Sequence, residues 1–310
     1  MDNLGNDITS SAILVTGSTG YLGKRIVDNL KKDNTKVISV ARNSLIDKDA
    51  EICDLTNIND TREMLESVNP SSIIHCAAAV PKEIDGLWSG YQNIDAEENS
   101  LAMALNVAET SKCPIVFISS MTVYDSDRLV GNFVSEEQAV KKPNTLYAQG
   151  KYRAEKRMAE LTDRGLISLR LPGLFGKPRT SGVLYKAAYS FLSGKKFSLT
   201  STPLWATMHV DDAANSCIKA AKLNNFPEND IVNIGYSDIF NIVDAVKLLA
   251  EICGVPWNNS LLSAPYFQAN LEKSKKYMPH QGEYFLDRLE QLVADVRSDL
   301  VEWLDFYYAK

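Results

Sequence analysis

Residues 13–30 read ILVTGSTGYLGKRIVDNL: an apolar run passes into Gly17, Gly20 and Gly23 and out into apolar positions spaced three and four apart. Glycine loses more backbone freedom on folding than any other residue, so three of them at one strand-to-helix passage need a physical reason. A tight turn there needs positive φ, and a pyrophosphate approaching a helix N-terminus needs backbone with no Cβ in its way. An ordinary glycine-rich turn is the alternative. The flanking strand and helix patterns favour a dinucleotide passage, with Gly17, Thr19, Gly20, Tyr21, Leu22 and Gly23 against the cofactor.

The rest of the chain supplies the scaffold that such a passage requires. Short apolar runs recur as AILVTG from 12, KVISVA from 36, SIIHCA from 72, PIVFISS from 114, ISLRL from 167 and IVNIG from 231. Their apolar residues are successive rather than alternating, which fits strands covered on both faces. The stretches 21–32, 92–111 and 147–163 show helical periodicity. This βαβ rhythm predicts an α/β fold: a doubly wound parallel sheet of the Rossmann type. Residues 12–171 form the expected dinucleotide-binding domain, with 206–235, including TMHVDDAANSCIKAA, returning to its main sheet. Residues 172–205 and 236–310 form a smaller substrate-binding lobe, ending in a helical, aromatic-rich tail from 283 to 308.

Composition narrows the function classes. The 310 residues are 45% hydrophobic, enough for one large core or two modest ones, and carry a net charge of −6. That balance offers no footprint for nucleic acid, and Lys31–Lys32, Lys141–Lys142 and Lys195–Lys196 read as solvated charges. Cys53, Cys76, Cys113, Cys217 and Cys253 show no C-x-x-C, so buried free thiols, rather than disulfides or a metal site, are expected. Residues 1–11 lack a signal-peptide pattern and no apolar run reaches the length of a membrane span. A cytoplasmic protein is expected.

The strand KVISVARNS ends in Ala41 and Arg42, without the carboxylate that usually holds an adenosine ribose diol. Arg42 favours a 2′-phosphate, hence NADP, with NAD as the alternative. Asp54, followed by Leu55 in CDLTN, either meets the adenine or caps the helix that TREMLESV begins.

In LYAQGKYRAEKRM, Tyr147 and Lys151 are four apart and share a helix face. An ammonium beside a phenol stabilises the phenolate, which makes the phenol a usable proton donor for a carbonyl receiving hydride. Tyr152 and Lys156 repeat the spacing about 140° around the helix, so only one pair faces a cleft. The context is VFISSMTVYD, which delivers Ser119 and Ser120 at a strand's carboxyl end, where open α/β sheets bind ligands. Ser120 either bonds the substrate oxygen or caps the strand end.

The ordered set TGSTGYLG, CDLT, IIHCAAA, NIDAEENS, ISSMTVY, YAQGK, LRLPGLFG, HVDDAA and VNIG resembles the extended short-chain dehydrogenase/reductases, the NAD-dependent epimerase/dehydratase group. The resemblance implies Ser120, Tyr147 and Lys151 as catalytic residues. It puts Asp54 at adenine, Ala77, Ala78 and Ala79 along the cofactor, Asn93 near its nicotinamide end, Pro172 also against the cofactor, and Thr122 beside substrate. It further implies a homodimer and a nucleoside-diphosphate sugar as substrate. Many relatives carry an arginine four residues before the histidine of HVDD; here Trp205 stands there, leaving Lys177 and Arg179 to supply charge to substrate phosphate or to lie on a loop surface.

Dehydratases of this group place Asp-Glu after the active hydroxyl residue, where this chain has Met121 and Thr122. Epimerisation beside a carbonyl needs further proton-transfer groups, and the histidines are His75, His209 and His280 only, the first two in framework motifs. The expected reaction is NADPH-dependent reduction of the 4-keto group of a nucleotide-linked deoxysugar. The alternatives are a 4-epimerase with tightly held NAD, a reductase of a non-sugar ketone or aldehyde, and a non-catalytic dinucleotide-sensing protein.

Overall fold

The computed structural model describes residues 12–79, 82–84, 87–89, 93–124, 133–138, 143–203, 205–258, 263–279 and 284–308; segment 1–11, Lys141, Lys142 and His280 lie outside them. The chain runs through β1 (Ile13–Thr16), α1 (Tyr21–Lys32), β2 (Val37–Ala41), β3 (Glu51–Ile52), α2 (Ile58–Val68) and β4 (Ser72–His75). There follow β5 (Lys82–Ile84), β6 (Leu87–Ser89), α3 (Ile94–Thr110), β7 (Ile115–Ser120), β8 (Phe133–Val134), α4 (Leu146–Leu161) and β9 (Leu166–Leu171). The remainder is β10 (Gly173–Phe175), α5 (Val183–Leu192), β11 (Thr207–His209), α6 (Val210–Ala221), β12 (Asn229–Asn233), α7 (Ile242–Cys253), β13 (Gln268–Ala269), α8 (Glu272–Tyr277) and α9 (Phe285–Tyr308).

Seven strands form one parallel sheet in the order β12-β9-β7-β4-β1-β2-β3. The chain winds outward from β1 first to one side and then to the other, so the crevice between β1 and β4 is the switch point at which such sheets bind ligands. All six apolar runs became strands of this sheet. Both faces are covered, which explains their lack of alternation: Ile13 and Val15 pack under α1 and α6, whereas Leu14 between them packs under α2, α3 and α4.

The segment TMHV corrects one expectation. Thr207–His209 does not return to the main sheet but pairs in parallel with β10, because β9 already has β7 on one edge and β12 on the other. The helix after it, α6, does return and packs against α1. A second apolar cluster joins α5, α7 and α9 through Leu184, Ala188, Val246, Leu249, Phe285 and Leu292. Helix α7 is bounded by an Asn241–Asp244 capping box and by Gly254 at φ 71°.

Candidate active site

The turn from β1 to α1 shows why the glycines are there. Gly17 sits at φ +63°, and a Cβ on it would lie 2.9 Å from the Ala77 backbone at the end of β4. A Cβ on Gly23 would drive into the Gly17 carbonyl. The Gly20 N–H closes the turn on Gly17 O at 2.9 Å. Helix α1 therefore begins flush against the neighbouring strand, with Thr19 half-buried and Tyr21 and Leu22 in its first turn. It has no side-chain cap and no acidic residue in that turn, leaving its N-terminal amides suited to an anion. A cradle without room for Cβ atoms, ending in free helix amides, fits a dinucleotide pyrophosphate.

Around this turn, Thr16 and His75 lock the ends of β1 and β4 together. The Ala77 N–H donates to Thr16 Oγ1 at 3.2 Å, and Thr16 Oγ1 meets His75 Nδ1 at 2.9 Å. Burial pushes His75 down to about 3, so the ring is neutral and its role is structural. Ala78 is half-buried beyond it, and the Ala79 N–H donates to Ser100 Oγ at 2.9 Å. Arg42 is exposed just past β2. Asp54 is exposed and accepts from the Thr56 hydroxyl at 2.7 Å and the Thr56 N–H at 3.0 Å, which hold its carboxyl below the usual range. Asp54 thus shapes a turn, and the cap of α2 is Asn57 instead. Leu55 is buried.

The structure chooses between the two tyrosine-lysine pairs. Tyr147 and Lys151 line one cavity with Ala77, Ala79, Asn93 and Phe117. Tyr152 turns toward Met121 and Val123 on another side of α4, with Lys156 beside its ring. Lys151 is buried; its ammonium donates to Ile118 O at 2.7 Å and stands 6.0 Å from the Tyr147 ring centre. Burial brings Lys151 down to about 8, against the opposing influence of Cys76 and Glu155. Asn93, exposed, caps α3 by accepting from the Ala96 N–H.

Ser120 and Thr122 line a neighbouring cleft of about 350 Å³, together with Asn144, Pro172, Trp205 and Phe267. The Ser120 hydroxyl accepts from the Thr122 N–H at 3.2 Å and the Thr122 hydroxyl at 2.9 Å, so it caps the single 3₁₀ turn after β7 while facing the cleft. The Asn144–Thr145 segment of this cleft leads directly into Tyr147. Lys177 and Arg179 line neither space. Lys177 pairs with Asp299 at 2.7 Å, while Arg179 stacks over Tyr21 and donates to Leu174 O.

Two groups escaped the sequence reading. Glu97 lines the Tyr147–Lys151 cavity, and Arg170 is wholly buried with a bidentate bond to Glu155, which also accepts from Ser119 at 2.5 Å. Arg170 further donates to the Tyr124 hydroxyl, on the cleft wall, at 2.9 Å. An arginine inside the apolar run ISLRL, and a glutamate one turn after Lys151, were the available signals. Among the described residues no cluster of His, Cys, Asp or Glu could hold a metal ion.

A parallel sheet with a Cβ-free phosphate turn at its switch point, and a tyrosine-lysine pair beside it, defines a dinucleotide-binding fold of the Rossmann type. The sequence profile of the NAD dependent epimerase/dehydratase family matches residues 13–235, and the chain belongs to that family. Among curated relatives, the methionine adenosyltransferase 2 subunit beta of Bos taurus is 26% identical over 227 residues, 70% of this chain and 64% of the relative. The UDP-glucose 4-epimerase of Vibrio cholerae is 29% identical over 157 residues, 48% of this chain and 47% of that protein. The chain thus spans under two thirds of the length of these relatives. The solved UDP-N-acetylglucosamine 4-epimerase of Bacillus cereus shares the fold at a TM-score of 0.75 and 21% identity, covering 93% of this chain and 97% of that one. A dTDP-4-dehydrorhamnose reductase of Clostridium acetobutylicum does so at 0.71 and 16%, covering 92% and 99%.

Proposed function

We propose that the protein is an NADPH-dependent ketoreductase acting on the 4-keto group of a nucleotide-linked deoxysugar. The observation that carries this reading is the placement of Tyr147 and buried Lys151 on one face of α4, in a cavity walled by Ala77 and Ala79 from the end of β4. The glycine turn would hold the pyrophosphate, Arg42 the adenosine 2′-phosphate, and Lys151 the nicotinamide ribose. The bound dinucleotide supplies hydride to the carbonyl carbon. Tyr147 then protonates the oxygen, and the Lys151 ammonium beside it stabilises the phenolate left behind. Ser120, fixed by Thr122, orients the carbonyl from the adjoining cleft. The absence of an Asp-Glu pair at Met121–Thr122 disfavours dehydration.

The test is NADPH consumption with a 4-keto nucleotide sugar by the wild type and by Tyr147→Phe. Turnover that falls on the order of 10³-fold in the variant, with NADPH binding kept, is the expected result. Dinucleotide retained in stoichiometric amount through dialysis, with sugar epimers interconverted and no net NADPH consumed, would replace the reductase by a 4-epimerase.

A second reading has its own support in the relatives named methionine adenosyltransferase 2 subunit beta. On it, the chain serves as a subunit of a larger assembly. Tight association with a methionine adenosyltransferase catalytic chain, unaffected by Tyr147→Phe, is the result that would establish it.

A further inference from the structure

Arg170 and Glu155 take no part in the chemistry proposed above, yet they stand directly behind it. Ser119, Arg170 and Asn233 are register partners on β7, β9 and β12, so their side chains form one row on the sheet face that α4 covers. The row lies at the carboxyl ends of these strands, and the residues after the first two, Ser120 and Leu171, line the cleft. Ser119, Glu155, Arg170 and Asn233 are all buried, so their polar atoms need partners inside the protein.

They find them in one chain of bonds. Arg170 donates to the two Glu155 oxygens at 2.9 and 2.7 Å, and Ser119 donates to Glu155 Oε1 at 2.5 Å. On its other side Arg170 donates to the Tyr124 hydroxyl at 2.9 Å and to Glu136 O at 2.6 Å. Tyr124 donates in turn to Asn233 Oδ1 at 2.6 Å, and the Asn233 amide donates to Val134 O at 3.2 Å. Each end of this chain meets one half of the site. Glu155 is one turn after Lys151 on α4, and its partner Ser119 follows Ile118, whose carbonyl holds the Lys151 ammonium at 2.7 Å. Tyr124 lines the cleft beside Phe267, and β8, which Asn233 holds, pairs with β13 just after that ring. An apolar pair would fill the same space without taking two charges out of water, so packing alone does not call for an arginine here.

We propose that Arg170 is a positioning residue: through Glu155 it fixes the helix of Tyr147 and Lys151 to the cleft wall at Tyr124, so that phenol and substrate carbonyl meet in one register. The proposal rests on the reductase reading above. Glu155 also acts on Lys151 by its charge. The titratable groups facing Lys151 are His75 and Cys76 at the end of β4, Tyr147 and Glu155 on α4, and Glu97 on α3. Burial brings Lys151 down to about 8 against the pull of Cys76 and Glu155. Burial also pushes the Cys76 thiol up to about 12, so near pH 8 that thiol is neutral and Glu155 is the anion on the lysine's own helix.

The experiment compares the wild type with Glu155→Gln/Arg170→Met, which removes both charges together and leaves Ser119 an amide oxygen to bond, and with Tyr124→Phe, which removes one hydroxyl. The double variant should stay folded by circular dichroism and keep its NADPH dissociation constant. Its kcat on a 4-keto nucleotide sugar should fall by about tenfold or more. The alkaline fall of kcat should come at lower pH than in the wild type, and in the cofactor-free protein the isotope-labelled Lys151 resonance should titrate at lower pH. Tyr124→Phe should raise the KM of the sugar several-fold and leave that resonance unmoved. Wild-type kcat and pH profile in the folded double variant would reduce the pair to packing and overturn the proposal, as would a wild-type KM in Tyr124→Phe. If the double variant does not fold, Arg170→Lys, which keeps the charge but loses the fork, takes its place, with a loss of kcat expected and wild-type kcat overturning the proposal. A wild type that reduces no such sugar overturns the reductase reading instead, and the Lys151 resonance then decides whether Glu155 and Arg170 act on the helix.

Discussion

The glycine turn of the sheet and the aromatic cluster beneath α9 are both tightly packed, but by opposite means. At the turn, Gly17 and Gly23 exclude side chains so that backbone meets backbone, and all the residues responsible lie within a dozen positions except Cys76 and Ala77. Beneath α9, Phe285 stacks on Phe240 at 3.7 Å between ring centres, sets its edge against Phe175, and is backed by Trp205 against Phe240. Those four rings come from four distant parts of the chain. Local geometry builds the cofactor side, and long-range burial builds the other.

Removing a ring tests the second region most severely. Phe285, 2% exposed, should cost about 3–5 kcal/mol when truncated to alanine, the usual penalty for an aromatic cavity. Urea unfolding measures it, and the NADPH dissociation constant should not change. A matched loss of cofactor affinity would break the division between the two regions.

Adding a methyl tests the first. In an exposed helix, Gly→Ala gains up to about 1 kcal/mol. At Gly23 the new Cβ meets the Gly17 carbonyl, so overlap outweighs propensity and the turn must open. Gly23→Ala should lose NADPH binding by calorimetry while the circular dichroism of the sheet survives.

The same contrast explains what could be read from the sequence. All six main strands were legible because each is a short apolar run, and α1 because its spacing and its glycines agree. β3 was not, since Glu51–Ile52 is a two-residue edge strand with both side chains exposed and no pattern to carry it. TMHV was apolar enough to be a strand, but its partner was decided by which edges β7 and β12 had already taken. At the site, spacing offered two tyrosine-lysine pairs, and the strand-end context and the ordered motifs singled out Tyr147 and Lys151. Nothing local marks Glu97, because its burial depends on Gly150 one helix away, and Lys177 and Arg179 were assigned by charge alone while Asp299 and Tyr21, remote in sequence, claim them.

Acid should act on both regions through their buried histidines. Burial brings His209 down to about 4 and His75 to about 3, and each has an Nε2 without a partner among the described residues. An unfolded histidine binds a proton below about pH 6.5. Between that value and the folded one, the unfolded state holds more protons, so stability falls as pH falls, by up to about 1.4 kcal/mol per pH unit for each ring. Lys151, at about 8 when folded, adds nothing to this slope at lower pH because it is charged in both states. Urea midpoints from pH 6.5 to 4 should show a steep decline in the wild type, and a shallower one in His75→Gln or His209→Gln. Equal slopes in all three would mean that neither ring is held neutral by its burial.

The smallest effect expected separates the two cofactors. Arg42 lies exposed just beyond β2, and its influence on Asp54 is slight beside that of Thr56. Nothing about the fold should therefore depend on it, and Arg42→Ser should leave the melting temperature unchanged. Its guanidinium would matter only to an added phosphate on the adenosine ribose, a charge-assisted contact at an exposed site worth on the order of 1 kcal/mol or a little more. Fluorescence titration should show NADPH binding weakened about tenfold in Arg42→Ser at low salt, with NADH binding untouched, and the gap should narrow as salt rises. Equal weakening of both dinucleotides would place Arg42 on the common part of the cofactor, and no weakening of either would return the preference to NAD.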